Sequence, residues 1–114
     1  MFRLGQSNQF SYPVNVEIVG DNGARKTHTF TGIFKRIDRD EFDGIVDQVR
    51  SGDMKDRDVV DRVLLGWKDV QDADGNDLPY DETGKAELFS VLPVVPAIAS
   101  AFLEANTPKG RAKN

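Results

Sequence analysis

Cysteine is absent from this chain of 114 residues, and histidine occurs only once, as His28. Without cysteine the protein has no disulfide, no thiolate metal site and no cysteine nucleophile. A single histidine excludes a histidine pair for a metal, and no serine lies in the strand–turn–helix context of a nucleophile elbow. Gly20 and Gly23 belong to a predicted turn and not to a phosphate-binding loop. We therefore predict a protein that is not an enzyme, with no catalytic residue, no metal ligand and no cofactor.

Long apolar runs are also missing. No stretch approaches the ~20 apolar residues that a membrane-spanning helix requires, and the N-terminus lacks the apolar core of a signal peptide. The net charge is −4, and the acidic excess lies in residues 38–81, which hold fourteen acidic and six basic side chains. Because acidic surfaces repel phosphate, we expect a soluble cytoplasmic protein with neither a membrane nor a nucleic acid among its partners.

The N-terminal third alternates apolar and polar residues with the period of a β-strand. The alternation runs from Phe10 to Ile18, and Pro13 is typical of an edge strand or a strand start. Residues 20–23 then supply a turn, and β-branched and aromatic residues follow. We predict a β-hairpin over residues 12–36, which must pack on another element because an isolated hairpin is only marginally stable.

The next segment changes to the apolar period of a helix. Asp38 is the predicted N-cap of a first helix, in a capping box, and Gly52 ends that helix. A second helix is predicted to have Asp53 or Asp56 as its cap and to stop at Gly66.

Two further helices are predicted in the C-terminal third. Asp81 caps the third helix, which runs to about Leu92 and is broken by Pro93. Pro96 suits the first position of the fourth helix, which continues to Ala105. The predicted fold class is α+β, with the N-terminal β-hairpin packed on a bundle of about four helices, and a mainly α fold is the alternative.

The predicted elements form a single domain, because no repeat or linker interrupts them. A chain of this length buries roughly two-thirds of the surface that it exposes when unfolded, which is enough for one core. We assign the globular domain to residues 1–106, with the helices in residues 38–106. Residues 107–114 form a small basic tail that we expect to be disordered.

The acidic loop around Gly75 partly fits a calcium-binding EF-hand loop. With Gly75 at position 6, Asp72 and Asp74 fall on ligand positions 3 and 5. Val70 then falls on position 1, where a valine side chain cannot bind calcium, and Asp81 stands where glutamate is needed. The pattern therefore favours an ordinary polar turn.

The last predicted helix is apolar on nearly every side, although a terminal helix of a small domain can hide only part of its surface in the core. Some of this surface is therefore expected to contact a partner or a second copy of the chain. Trp67 is a secondary candidate, since tryptophan is enriched at binding hot spots. The predicted partner-binding residues are Trp67, Phe89, Val95, Ile98, Phe102 and Leu103.

Several short motifs occur in a characteristic order. They are residues 10–16, residues 30–36, the Gly66-Trp67-Lys68-Asp69-Val70 step within residues 63–70, the Asp72-Ala73-Asp74-Gly75 turn, and Leu78-Pro79-Tyr80 before a helix. In this order the chain resembles the tail assembly chaperones of long-tailed bacteriophages, over residues 10–105.

The resemblance implies a non-catalytic helper that binds the tape measure protein, and tail tube subunits as a second client, during tail assembly. It also implies a homo-oligomer in the cytoplasm of the bacterial host, encoded by a phage or prophage, that does not remain in the mature virion. The alternative is a structural virion component, such as a tail terminator, a connector or a tube subunit.

Overall fold

The computed structural model describes residues 1–108, which fold into a three-stranded antiparallel sheet and four helices. The elements in chain order are β1 (Gln9–Val19), β2 (Arg25–Lys35), α1 (Arg39–Ser51), α2 (Asp56–Val63), β3 (Leu64–Lys68), α3 (Glu82–Phe89) and α4 (Val94–Ala105). The sheet order is β1-β2-β3, so β2 is central. The predicted α+β class is confirmed, and the sheet has one strand more than the predicted hairpin.

The hairpin of β1 and β2 pairs over its whole length, from Gln9 opposite Lys35 to Val19 opposite Arg25. Residues 20–24 join the strands, and the Gly20 N–H donates to the carbonyl of Ala24 at 2.7 Å. Gly23 adopts a φ of 85° in this loop, a left-handed conformation that glycine reaches without strain.

One face of the sheet carries the core, and the helices cover it. Directly opposed residues share a face, so Phe34 of β2 lies beside Phe10 of β1, with ring centroids 5.7 Å apart. Phe102 of α4 packs on Phe34 at the same centroid distance. The other face is open: there the Thr29 hydroxyl donates to the Asn15 side chain at 2.8 Å, and both residues are exposed.

Strand β3 was missed by the sequence analysis, and the prediction that the second helix continues to Gly66 is wrong. Helix α2 ends at Val63, and β3 begins with the next residue. Opposite β2 the strand contains a bulge, because Ile33 pairs with Gly66 while Phe34 pairs with Leu64. A bulge adds one residue to one strand. It brings Leu64 and Trp67, which are three residues apart, to the same face of β3, and this spacing is also typical of one face of a helix.

Helix α1 begins as predicted. The Asp38 carboxylate accepts a hydrogen bond from the backbone N–H of Glu41 at 2.9 Å, and Gly52 ends the helix with a φ of 85°. The predicted cap of α2 is wrong, because Lys55 occupies the N-cap position and its backbone N–H donates to Asp58 at 2.9 Å. The carboxylate that bonds to the N-cap residue therefore belongs to Asp58, inside the helix, and not to the residue that precedes the helix.

Helices α3 and α4 meet at a sharp corner. Asp81 caps α3 as predicted, accepting from the Gly84 N–H at 2.7 Å, but α3 ends at Phe89 and not near Leu92. Helix α4 begins at Val94 with Pro93 as N-cap, so Pro96 lies within the first turn instead of starting it. The two axes differ by 98°.

The predicted basic tail is only partly within the described residues. The hydroxyl of Thr107 donates to the carbonyl of Leu103 at 2.7 Å, and so completes the end of α4. Pro108 follows, and residues 109–114 lie outside the described residues. The predicted disorder of the tail therefore stays a prediction.

Candidate functional site

A groove of about 970 Å³ lies between α1 and the C-terminal end of α4. We call it the α1–α4 groove. Its lining is mixed, with partly exposed apolar side chains beside charged ones and the polar residues Asn106 and Thr107. The apolar lining residues are Ile37, Phe42, Val46, Leu103 and Pro108. The charged lining residues are Asp38, Arg39, Asp43, Asp47 and Arg50.

The groove exists because α1 has more apolar surface than α4 covers. Ile45 is the residue of α1 that is fully buried. Phe42 reaches the core at its edge, with its ring centroid 6.4 Å from that of Phe102. Val46 stands one turn further along the same side of α1. Helix α4 ends at Ala105, so this side of α1 stays open to solvent.

The rim combines two acidic residues at the middle of α1 with a basic residue towards each end. Asp43 and Asp47 are four residues apart, a spacing at which like charges on a helix repel each other slightly. Among residues 1–108 the ion pairs involve other groups, and neither Asp43 nor Asp47 takes part. A cationic side chain lying between these two carboxylates would relieve their repulsion.

The structure divides the predicted partner-binding residues of α4. Ile98 and Phe102 are fully buried between the sheet and α2, so they are core residues of the subunit and not surface residues open to a partner. Val95 is half-buried. Leu103 is the predicted residue that lines the α1–α4 groove.

Trp67 closes the core at the edge of β3. Its indole Nε1–H donates to the carbonyl of Leu78 at 2.8 Å, and Tyr80 packs edge-on with ring centroids 4.9 Å apart. Phe89 packs on the same indole at 6.3 Å and is covered outside by the guanidinium of Arg57, 4.9 Å from the ring centroid. Trp67 therefore anchors the segment that enters α3, and little of it is left for a partner.

The acidic loop is a closed turn. The Asp72 carboxylate accepts backbone N–H bonds from Asp74 and Asn76 at 2.9 Å and 3.0 Å. Gln71 and Asp77 pair across the base of the loop, and Gly75 takes a φ of 83°. The predicted turn is confirmed. In the described part of the chain no three acidic, histidine or cysteine side chains come together in a way that could hold a metal ion.

Two apolar features on the surface were missed by the sequence analysis. Phe2 and Leu4 precede the sheet with 79% and 82% of their surface exposed, and Leu92 at the α3–α4 corner is 91% exposed. The sequence does indicate the exposure of Phe2 and Leu4, because the polar residues that follow them offer no apolar side chains for packing. Leu92 was placed inside the third helix, which hid its position at the corner.

None of the helices within residues 1–108 is by itself long and apolar enough to cross a membrane. Helices α3 and α4 reach the required length and composition only as a pair bent by 98°. Helix α4 also buries five residues in the protein core, namely Val94, Ile98, Ala99, Ala101 and Phe102.

Comparison of the chain with protein-family models, with curated proteins and with solved structures gives no match. The surface is therefore the main guide to function. Its most distinctive part is the α1–α4 groove, in which apolar residues lie beside three carboxylates and two arginines. Such a groove suits an apolar segment of another chain that carries basic side chains beside its apolar ones.

Proposed function

We propose that this protein is a non-catalytic tail assembly chaperone of a long-tailed bacteriophage. It binds the tape measure protein in the cytoplasm of the bacterial host and does not remain in the mature virion, and the tail tube protein is a second client. The observation that carries the proposal is the α1–α4 groove, an open surface next to the core that combines apolar and charged side chains. The sequence resemblance over residues 10–105 supports the same function.

The groove suits a helical client. Helix α1 has 13 residues, so it extends about 20 Å at 1.5 Å per residue, which corresponds to three to four turns of a partner helix. An amphipathic helix lying along it places apolar side chains on Phe42, Val46 and Leu103. A tape measure protein is long, helical and apolar before the tube encloses it, so it offers many such segments.

The expected affinity of one groove is modest. Covering three or four client side chains contributes about 1.5–3 kcal/mol each, and the loss of freedom on association offsets a large part of that gain. Several copies bound along one client gain strength through multivalency. Weak individual contacts also let each copy leave when tube subunits replace it.

Co-expression with the tape measure protein tests the proposal. The wild-type chain is expected to raise the soluble fraction of the tape measure protein and to purify with it. Val46→Asp places a carboxylate inside the groove and should abolish the complex, because an unpaired charge is costly to bury. Leu92→Asp is the matched control, since Leu92 is an apolar residue outside the groove, and should keep the complex.

Two results would contradict the proposal. The first is a wild-type chain that neither solubilises nor binds the tape measure protein. The second is a Val46→Asp variant that is folded by circular dichroism and still binds as well as the wild type, which would place the client elsewhere.

A structural virion component is the second candidate, and the open edge of β1 favours it. The strand order leaves β1 at the edge of the sheet, and an open edge can pair with another chain. Pro13 limits this use. At the two ends of β1, the backbone groups of Asn8 and Gly20 bond towards the β2 side. Because backbone groups alternate along a strand, the N–H and C=O groups of the odd-numbered residues point to the open edge. Pro13 has no N–H, so it removes one donor from that edge.

Mass spectrometry of purified virions separates the two candidates. A chaperone is expected to be missing from mature particles, whereas a terminator, connector or tube subunit would be present in several copies. Detection at the level of a known tail protein would overturn the chaperone proposal in favour of the structural one.

A further inference from the structure

The first six residues form an apolar and basic segment that contributes nothing to the core. We call residues 1–6 the N-terminal arm. Phe2 and Leu4 are 79% and 82% exposed, and Arg3 stands between them. Arg3 gives the arm a positive charge, and residues 1–16 contain no acidic residue.

The arm leaves the domain next to the α1–α4 groove. The Arg36 guanidinium donates to the carbonyl of Ser7 at 2.9 Å, and the Arg36 backbone N–H donates to the carbonyl of Asn8 at 2.8 Å. The next residue, Ile37, lines one end of the groove. Gly5 has a φ of 95°, and the groove lining within residues 1–108 contains no arm residue.

The arm and the groove match in spacing and in charge. In an extended arm Phe2 and Leu4 point to the same side about 6.6 Å apart, at 3.3 Å per residue. Phe42 and Val46 are separated by about 6 Å along α1, at 1.5 Å per residue. Two apolar side chains of an arm therefore fit two apolar positions of a groove wall.

The charge complements this fit. Arg3 has a long side chain that can turn from the far side of an extended arm to the rim of the groove. There the Asp43 and Asp47 carboxylates repel each other along α1. A guanidinium between them makes two favourable contacts and removes that repulsion.

We propose that the N-terminal arm of one copy docks in the α1–α4 groove of a second copy, so that the chain associates with itself. Within one subunit, Arg36 tethers the base of the arm through Ser7 and Asn8, and no arm residue lies among the described residues that line the groove. A second copy has no such tether. The proposal rests on the groove being a docking site, as in the proposed function, but not on the identity of the client.

Light scattering coupled to gel filtration tests the proposal on the purified full chain without any client. The wild type is expected to associate as its concentration rises. The arm variant Phe2→Ser/Leu4→Ser and the groove variant Val46→Asp are each expected to stay monomeric. Leu92→Ser, an exposed apolar residue elsewhere, is the matched control and should associate like the wild type.

Mixing the two monomeric variants gives the decisive result. The arm variant keeps an intact groove and the groove variant keeps an intact arm, so an equimolar mixture should form a complex that neither forms alone. A fluorescent peptide of residues 1–8 should also bind the wild type and lose at least tenfold in affinity for Val46→Asp.

Four outcomes would overturn the proposal. They are a wild type that stays monomeric at every concentration, an arm variant that associates normally, a mixture that fails to form a complex although both variants are folded, and association lost only when residues 109–114 are removed. The last would make the C-terminal tail the occupant. Because no tape measure protein is present, failure here leaves the client test untouched, and failure of the client test leaves self-association untouched.

Discussion

Replacing Gly32 with alanine tests how tightly the sheet packs on α4. Gly32 is buried in β2 opposite Trp67. A Cβ atom at this position would lie 2.8 Å and 2.9 Å from the Cε2 and Cζ atoms of Phe34, and 3.1 Å from Cγ2 of Val14. Ordinary contacts between carbon atoms are about 3.5–4.0 Å, so the ring would have to move by roughly 0.7 Å.

The ring has little room for that movement. Phe34 is fully buried, and its ring packs 5.7 Å from the rings of both Phe10 and Phe102. Overpacking of a well-filled core costs about 1–3 kcal/mol. Alanine in place of glycine also restricts the unfolded chain, which offsets about 0.4–1 kcal/mol of the cost. The expected net loss in the free energy of unfolding is therefore about 1–2 kcal/mol.

Urea unfolding followed by the fluorescence of Trp67 measures this loss. With a slope of about 2 kcal/mol per molar urea, the midpoint should fall by roughly 0.5–1 M. Gly66→Ala is the matched control, because its Cβ would meet Ile33 atoms at 3.6 Å and 3.9 Å, which are ordinary contacts. The control should be neutral or slightly more stable. A Gly32→Ala midpoint at or above the wild-type value, or an equal loss in both variants, would refute the packing argument.

Three further predictions concern other elements. Gly84→Ala should lower the free energy of unfolding by more than about 2 kcal/mol in urea unfolding, because the new Cβ would collide with the backbone carbonyl oxygen of Pro79. Gly44→Ala should raise stability by about 1 kcal/mol, and the melting temperature by about 4 °C, since nothing lies within 4 Å of a Cβ there and alanine favours a helix. Desolvation by burial, and then the Glu104 carboxylate that accepts the Tyr12 hydrogen bond at 3.3 Å, raise the pKa of Tyr12. A raised folded pKa gives a stability contribution that is complete below about pH 10 and lost as the pH rises through the folded value. The ultraviolet difference titration of wild type against Tyr12→Phe should place this tyrosine above the ordinary value, and Glu104→Gln should lower it. A Tyr12 pKa at the ordinary value would contradict this prediction. A Gly44→Ala variant that is less stable than the wild type, or a Gly84→Ala variant that is equally stable, would contradict the other two.

The parts of the fold that could be predicted are those specified by neighbouring residues. The alternation from Phe10 to Ile18 and the glycine turn predicted the hairpin, and Asp38 and Asp81 predicted two helix starts. These signals depend on side chains bonding to or facing residues a few positions away. The sequence did not predict that Lys55 is the N-cap of α2, because the carboxylate that accepts the N-cap hydrogen bond belongs to Asp58, a residue inside the helix.

Strand β3 and the α1–α4 groove could not be predicted, because both depend on contacts between distant residues. The bulge at Leu65 brings Leu64 and Trp67 to the same face, a spacing that is also typical of a helix. The groove depends on where α4 ends relative to Phe42 and Val46. Those residues form part of a continuous apolar stripe in the sequence, and only the packing of α4 decides which of them stay uncovered.

The pairing of β2 with β3 closes the chain around α1 and α2. Ile33 bonds across to Gly66, so both helices lie inside a loop that is held at its two ends by the sheet. Helix α1 fully buries Ile45 alone, whereas α4 buries five residues. Amide hydrogens of α1 should therefore exchange with solvent through local opening. Those of the central strand β2 should exchange only through global unfolding. We therefore expect α1, which forms one wall of the groove, to open locally while the sheet stays paired.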